Sequence, residues 1–157
     1  LARILYRRIS SQFDACCFID DVSKICKHDG PVAAQKQILS QTLGEEHLQI
    51  CNLSDGANLI QNRLGHLRAF IILDNVDQGE QLEKLAVNRM QLGVGSRIII
   101  ISRDTHILNR YGVDVVFKVP LLNQTNSLQL FCQQAFKRDN ILSNYEELVY
   151  EILNYAD

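Results

Sequence analysis

The stretch that decides the fold reads AFIILD and runs from Ala69 to Asp74. A second stretch, RIIIISR, runs from Arg97 to Arg103 and also ends its apolar run on a charge. Apolar runs this short and this rich in Ile are typical of strands that are buried on both faces, as in parallel sheets. In an open parallel sheet, ligands bind outside the carboxyl ends of the strands. The sequence therefore predicts that Asp74 and Arg103 lie at a ligand-binding edge.

Helical patterns alternate with strand patterns along the rest of the chain. Two further strands are predicted over Ala15–Ile19 and Val113–Val119, which makes four in all. The helical patterns cover residues 1–9, 32–43, 55–64, 81–85, 104–108, 125–136 and 145–155. This alternation predicts an α/β domain with a mainly parallel sheet and right-handed crossovers. The polar run Lys137–Asn140 is a break after which a separate helical unit could start.

Composition limits the function classes. The 157 residues are 46% hydrophobic, which is enough to build a domain core. A net charge of -2 argues against a nucleic-acid-binding or membrane-surface protein, because neither sign dominates. No apolar run approaches the roughly 18 residues of a membrane span. Five cysteines without a C-x-x-C pair are typical of reduced thiols in a cytosolic protein, and the four histidines lack zinc-site spacing.

The two charged strand ends allow more than one interpretation. A carboxylate at the position of Asp74 can hold Mg²⁺ through water while the metal bridges phosphate oxygens, but it can also begin a turn. Arg103 could donate to a terminal phosphate oxygen or pair with a nearby carboxylate. Asn75 and Asp77 could orient water, or cap the helix around Gln81. The phosphate-binding loop G-x-x-x-x-G-K-S/T does not occur in the sequence.

Four segments, taken together, resemble the NB-ARC domain of plant disease-resistance proteins of the nucleotide-binding leucine-rich-repeat type. They are, in order, FDACCF (13–18), FIILDNVD (70–77), GSRIIIISRD (95–104) and LQLFCQQAFK (128–137). The second resembles the family's kinase-2 block and the third its G-S-R-I-I-I-T-T-R-D block. Order and spacing fit across essentially the whole chain. Asp77 ends the kinase-2 block as in the subclass that carries a TIR domain.

The resemblance implies a P-loop NTPase-type parallel sheet of five strands flanked by helices. Leu1 would fall just after the P-loop and Asp157 just before the G-L-P-L motif, so the chain would lack the first strand and the P-loop. We expect that first strand to lie between the strands that end at Asp74 and Arg103. Residues 1–138 would form a partial nucleotide-binding subdomain, and residues 139–157 the start of the helical ARC subdomain.

The resemblance also assigns site residues. Asp74 would be the Walker-B residue that holds Mg²⁺ through water, and Arg103 and Ser102 would contact the bound ADP or ATP. Two positions depart from the family pattern: Asn75 replaces the second acidic residue of L-D-D, and Ile101 replaces the first Thr of T-T-R-D. An amide cannot accept a proton as a general base, so we expect hydrolysis to be slow or absent.

The function implied by the resemblance is an ADP/ATP-binding switch in a cytoplasmic or nucleocytoplasmic plant immune receptor. ADP would hold the receptor closed, and ATP would open it for self-association and signalling. Its partners would be the TIR and leucine-rich-repeat domains of the same receptor and further copies of it. The alternative is a degenerate interaction module that no longer exchanges nucleotide. An ordinary P-loop enzyme such as a nucleotide kinase is a third hypothesis, but no Arg-rich lid is visible. We expect the chain on its own to be poorly folded and inactive.

Overall fold

Three parallel strands form a sheet in the order β1-β2-β3. They are β1 (Ala15–Ile19), β2 (Ala69–Leu73) and β3 (Arg97–Ile100). Every residue of β2 is buried, because β2 pairs with a strand on each side and is covered on both faces. This confirms the interpretation of the AFIIL run as a doubly buried strand of a parallel sheet.

The computed structural model describes residues 1–45, 48–141 and 144–156, without the side chain of residue 156. These residues fall into two units, 1–116 and 117–157. The helices of the first unit are α1 (Ala2–Ile9), α2 (Val22–His28), α3 (Pro31–Leu43), α4 (Leu53–Leu64), α5 (Gly79–Leu85) and α6 (Thr105–Tyr111). The second unit contains α7 (Gln124–Ala135) and α8 (Glu146–Ala156). Along this described part, no helix is both long enough and apolar enough to cross a membrane.

The core of the first unit lies between one face of the sheet and α3, α4 and α5. Alternate residues of β1 and β2 supply the sheet side of this core and are fully buried. The helices supply Ile38 and Leu39 from α3, Ile60 and Leu64 from α4, and Leu82 and Leu85 from α5. Burying each such side chain stabilises the fold by about 1.5–3 kcal/mol. The core thereby fixes the carboxyl ends of β1 and β2, where the polar residues begin.

Aromatic side chains cover the opposite face of the sheet. Phe70 of β2 stacks between Tyr6 of α1 and Phe13, with ring centroids 5.8 and 5.0 Å away. Tyr6 also meets Phe18 of β1 edge to face at 5.8 Å. The Arg3 guanidinium lies 5.0 Å from the Phe18 ring centroid, within the range of a cation–π contact. This cluster attaches α1 to the sheet.

The second unit is a helix pair with its own aromatic contacts. Phe131 and Phe136 meet edge to face with ring centroids 6.0 Å apart, and Phe136 lies 5.8 Å from Tyr145. Cys132 of α7 and Val149 of α8 are buried. The division of the chain at 138/139 stays a prediction, and residues 46, 47, 142, 143 and 157 of that division lie outside the described residues.

The position expected for a strand preceding Leu1 is wrong. β2 and β3 pair directly, with Ile71 opposite Ile98 and Ile72 opposite Ile99, so no slot for another strand separates them. β3 is less buried than β2, and its other edge pairs with no strand among the described residues. The expected position came from the family resemblance, and the motifs that carry the resemblance identify strands without establishing which strands are neighbours.

The predicted fourth strand was also wrong. Residues 113–119 form no strand, and Val115 is 81% exposed. Valine favours extended backbone, but a strand is stable only when another strand pairs with it. The short helix α2 was not predicted, although Val22, Ile25 and Cys26 recur at a helical spacing, because seven residues span only about two turns. The α/β class, the parallel sheet and the flanking helices are confirmed.

Candidate functional site

The predicted site residues meet at the carboxyl edge of the sheet. Backbone pairing continues past both strands: the Ile101 N–H donates to the Leu73 carbonyl, and the Val76 N–H donates to the Ile101 carbonyl, both at 2.9 Å. These bonds hold the segment after β3 beside the segment after β2. Asp74 and Arg103 therefore emerge at one edge, from adjacent strands.

One cleft of about 250 Å³ opens between these two segments. Its lining consists of Asp74, Asn75, Ile101, Ser102 and Arg103. Pockets for whole small-molecule ligands measure roughly 300–1,000 Å³. The cleft is therefore smaller than a pocket that encloses a whole small-molecule ligand.

Asp74 is half-buried, and its carboxylate is oriented by the backbone. Oδ1 accepts a hydrogen bond from the Asn75 N–H at 2.9 Å, while Oδ2 has no hydrogen-bond partner among the described residues. In nucleotide sites Mg²⁺ is usually held by one or two carboxylates together with phosphate oxygens and waters. A single oriented carboxylate with a free oxygen fits such a site.

Ser102 and Arg103 form the other wall of the cleft. The Ser102 hydroxyl oxygen accepts a hydrogen bond from the Asp104 N–H at 3.1 Å, so its own proton remains available for donation. Asp104 caps α6 by accepting from the His106 N–H at 2.8 Å. Arg103 is exposed and forms no salt bridge within residues 1–45, 48–141 and 144–156. The alternative in which Arg103 pairs with a neighbouring carboxylate is therefore not seen.

The turn after β1 borders the site through a contact that sequence reasoning missed. Asp21, the N-cap of α2, accepts a hydrogen bond on Oδ1 from the Asn75 side-chain amide at 2.8 Å. This bond, with a second one from the Lys24 N–H, lowers the pKa of the Asp21 carboxyl. The two residues are 54 positions apart, and only the parallel pairing of β1 with β2 brings them together.

Asp77 lies outside the cleft, and its carboxylate binds side chains of two helices. Its carboxylate accepts from the Lys27 ammonium of α2 at 2.5 Å and from the Gln81 amide of α5 at 2.6 Å. The Lys27 contact, followed by the Ser23 hydroxyl and Gln81, lowers the pKa of Asp77 to about 2. The N-cap of α5 is Gln78, so the interpretation of Asp77 as that cap is wrong. Asp77 instead connects two helices.

Comparison with known proteins gives consistent matches. The family described as "NB-ARC domain" matches residues 2–141. The chain is 33% identical to Disease resistance protein RUN1 of Vitis rotundifolia over 99% of its length, and 36% identical to TMV resistance protein N of Nicotiana glutinosa over 94%. Disease resistance protein RPP4 of Arabidopsis thaliana is 32% identical over 97% of the chain. The chain spans only 12–13% of the length of these relatives.

Proposed function

The chain belongs to the NB-ARC domain family, and we propose that it forms part of an ADP/ATP-binding switch in a plant immune receptor. The observation that carries the proposal is the shared cleft: Asp74, Ser102 and Arg103 line one space at the carboxyl edge of adjacent strands. Parallel α/β sheets bind their ligands at this edge. The relatives' names, which describe plant disease resistance proteins, support the role in immunity.

Each side chain in the cleft has a distinct role in this proposal. Asp74 would hold Mg²⁺ through water with its free Oδ2, and the metal would supply positive charge to offset that of the phosphate oxygens. Arg103 donates to the terminal phosphate, where its planar guanidinium can make two parallel hydrogen bonds. Ser102 donates its hydroxyl proton to the same group. Asn75 offers no basic oxygen for activating water, so the bound state persists and turnover is at most slow.

A switch of this kind operates through differential affinity. A ligand shifts a conformational equilibrium only by the difference between its binding free energies for the two states. The γ-phosphate distinguishes ATP from ADP, and the groups placed to contact it here are Arg103 and the metal held by Asp74. The proposed switch therefore favours its open state when both contacts form, and its closed state with ADP.

The proposal extends to the whole receptor. Asp77 at the end of FIILDNVD favours the subclass with a TIR domain. Leucine-rich repeats of the same receptor, and further copies of the receptor after activation, are the proposed partners. We place this receptor in the cytoplasm, or in both cytoplasm and nucleus.

The test compares Mg-ATP and ADP binding in the complete receptor. Asp74→Ala should weaken Mg-ATP binding about tenfold or more, which corresponds to about 1.4 kcal/mol, and change ADP binding much less. Arg103→Ala should act in the same direction, because a hydrogen bond to a charged group contributes about 1.5–3 kcal/mol. Isothermal titration calorimetry with each nucleotide measures both effects.

Two matched variants control for the loss of charge. Asp29→Ala removes an exposed carboxylate at the C-terminal end of α2, and Arg97→Ala removes an exposed guanidinium at the opposite end of β3. Neither should alter the affinity for Mg-ATP. Equal losses for ADP and Mg-ATP in Asp74→Ala would contradict the metal role of that residue.

The second candidate function is a degenerate interaction module. Two residues of the cleft favour it: Asn75, which cannot serve as a base, and Ile101, which offers no hydroxyl. This candidate predicts that Asp74→Ala and Arg103→Ala both leave nucleotide binding unchanged while the receptor still assembles. The same calorimetric titrations therefore decide between the two functions.

A further inference from the structure

Asn75 is bound through three of its groups at the proposed site. Its backbone N–H donates to Oδ1 of Asp74 at 2.9 Å, and its carbonyl accepts from the Ser23 N–H at 3.3 Å. Its side-chain amide donates to Oδ1 of Asp21 at 2.8 Å. The adjacent Asp74 carbonyl accepts from the Val22 N–H at 2.8 Å. Asn75 thus connects the Asp74 carboxylate to the start of α2.

The backbone at this connection is constrained. Asp21 and Asn75 both have left-handed backbone, with φ of 57° and 54°. Non-glycine residues rarely adopt this conformation, and Asn and Asp tolerate it best. Such conformations persist only where surrounding contacts maintain them. The amide–carboxylate bond between the two side chains is such a contact.

We propose that Asn75 is a positioning residue: its amide binds Asp21, and this bond sets the backbone N–H that orients the Asp74 carboxylate toward a metal-bound phosphate. The inference rests on the proposed function of Asp74. It also assigns Asn75 a positive role, whereas the comparison with L-D-D describes this residue only by the loss of a possible general base. The Asn75 amide nitrogen lies 2.8 Å from Oδ1 of Asp21. An Asp at position 75 would place a carboxylate oxygen there instead, and two like charges at that distance repel.

An exchange of the two residues tests the proposal in the complete receptor. The variants are Asn75→Asp, Asp21→Asn and the exchange Asp21→Asn/Asn75→Asp. In the exchange, the Asn amide at position 21 can donate to the Asp carboxylate at position 75, so the bond is rebuilt with its direction reversed. Asn75→Asp and the exchange both carry the new carboxylate beside Asp74. Any direct effect of that charge on Mg²⁺ is therefore the same in both.

The quantity to measure is the ratio of ATP affinity with Mg²⁺ to ATP affinity with EDTA. A residue that only stabilised the fold would change both affinities together and leave this ratio constant. We expect Asn75→Asp to lower the ratio about tenfold and the exchange to restore it to within about threefold. Asp21→Asn should have a small effect, because an Asn side-chain oxygen still accepts the hydrogen bond.

Two results would overturn the positioning role. An unchanged ratio in Asn75→Asp, or equal ratios in Asn75→Asp and the exchange, would show that the bond to Asp21 does not orient Asp74. Faster ATP hydrolysis by Asn75→Asp with an unchanged ratio would identify position 75 as a site for a base instead. If the natural receptor binds no nucleotide, the proposed function fails as well. If it binds Mg-ATP but the exchange restores nothing, only the positioning role fails.

Discussion

At the scale of the residue, Gln35 shows how a buried polar side chain restricts its neighbours. The side chain is fully buried in α3, and its amide donates to the Lys84 carbonyl at 2.8 Å and to the Leu53 carbonyl at 3.2 Å. Its Oε1 has no hydrogen-bond partner among the described residues and lies against Gly56 of α4. Gln35 thus joins α3, α4 and α5, and Gly56 gives it the necessary space.

Gly56→Ala should therefore destabilise the protein, although Ala usually stabilises a helix relative to Gly by about 0.5–1 kcal/mol. A Cβ on residue 56 would lie 2.0 Å from Oε1 and 2.7 Å from Cδ of Gln35. Gln35 would have to move, and leaving its buried partners unsatisfied costs about 1–3 kcal/mol. We expect a net loss of about 1–2 kcal/mol in the free energy of unfolding, measured with urea.

Gly79→Ala is the matched control for this prediction. Gly79 also belongs to a helix, but a Cβ there would meet nothing within 4 Å. This variant should be neutral or slightly more stable. If Gly56→Ala were as stable as Gly79→Ala, Gln35 would not be constrained by its two carbonyl partners.

At the scale of the element, α2 and α5 are connected through a charged contact outside the core. Lys27 of α2 and Gln81 of α5 both donate to the carboxylate of Asp77, in the loop between β2 and α5. Both the Lys27 and Asp77 side chains are partly exposed, so solvent weakens the ion pair. The contact nevertheless fixes the loop that begins at Asp74.

The pH dependence of stability should reveal this contact. The folded pKa of Asp77, about 2, lies below the ordinary value near 3.9 for an unfolded chain. The contribution of Asp77 is therefore complete above pH 4 and is lost as the pH falls from about 4 to 2. In thermal melts, Asp77→Asn should be less stable than the natural chain at pH 6, and this difference should shrink at pH 2.

Asp29→Asn serves as the control for the acid melts, because Asp29 is exposed and forms no salt bridge in the described part of the chain. Its melting temperature should follow that of the natural chain throughout. A constant difference between Asp77→Asn and the natural chain from pH 6 to pH 2 would contradict the depressed pKa.

The elements also show how far sequence reasoning extends. The AFIIL run identified β2 correctly, because burial on both faces leaves a clear pattern in the residues themselves. The order of the strands and the absence of pairing at Val113–Val119 were not predictable, since both depend on which strands are available as neighbours. The same limit applies to the site: the cleft residues follow their strands directly, whereas Asp21 reaches Asn75 only through the tertiary fold.

At the scale of the whole molecule, the described residues include both an unpaired sheet edge and strongly exposed apolar side chains. Val115 and Phe117 are 81% and 74% exposed, and β3 pairs only with β2 among the described residues. Unpaired strand edges and exposed apolar residues favour association between chains. The expectation that the isolated chain is poorly folded therefore keeps a physical basis. The unpaired edge is the outer edge of β3, however, and not a gap between β2 and β3.

We predict that the isolated 157-residue chain self-associates and that Val115→Glu/Phe117→Glu reduces this association. Light scattering at increasing protein concentration measures the effect. Met90→Glu/Val94→Glu is the matched control, because it adds two negative charges at positions that are 83% and 100% exposed elsewhere. If both pairs reduced scattering equally, the association would not depend on Val115 and Phe117 in particular. Surface changes of this kind should leave the free energy of unfolding within about 0.5 kcal/mol.

The strand order has a consequence for how the chain is made on the ribosome. β1 pairs with residues 54 positions later, and β2 pairs with residues 27 positions later. At a synthesis rate of about 5–20 residues per second, β2 is made about 3–11 seconds after β1, and β3 about 1–5 seconds after β2. Each new strand adds to the strand made just before it, so no completed pair has to open. These three strands can therefore pair in the order in which they are synthesised, while translation proceeds.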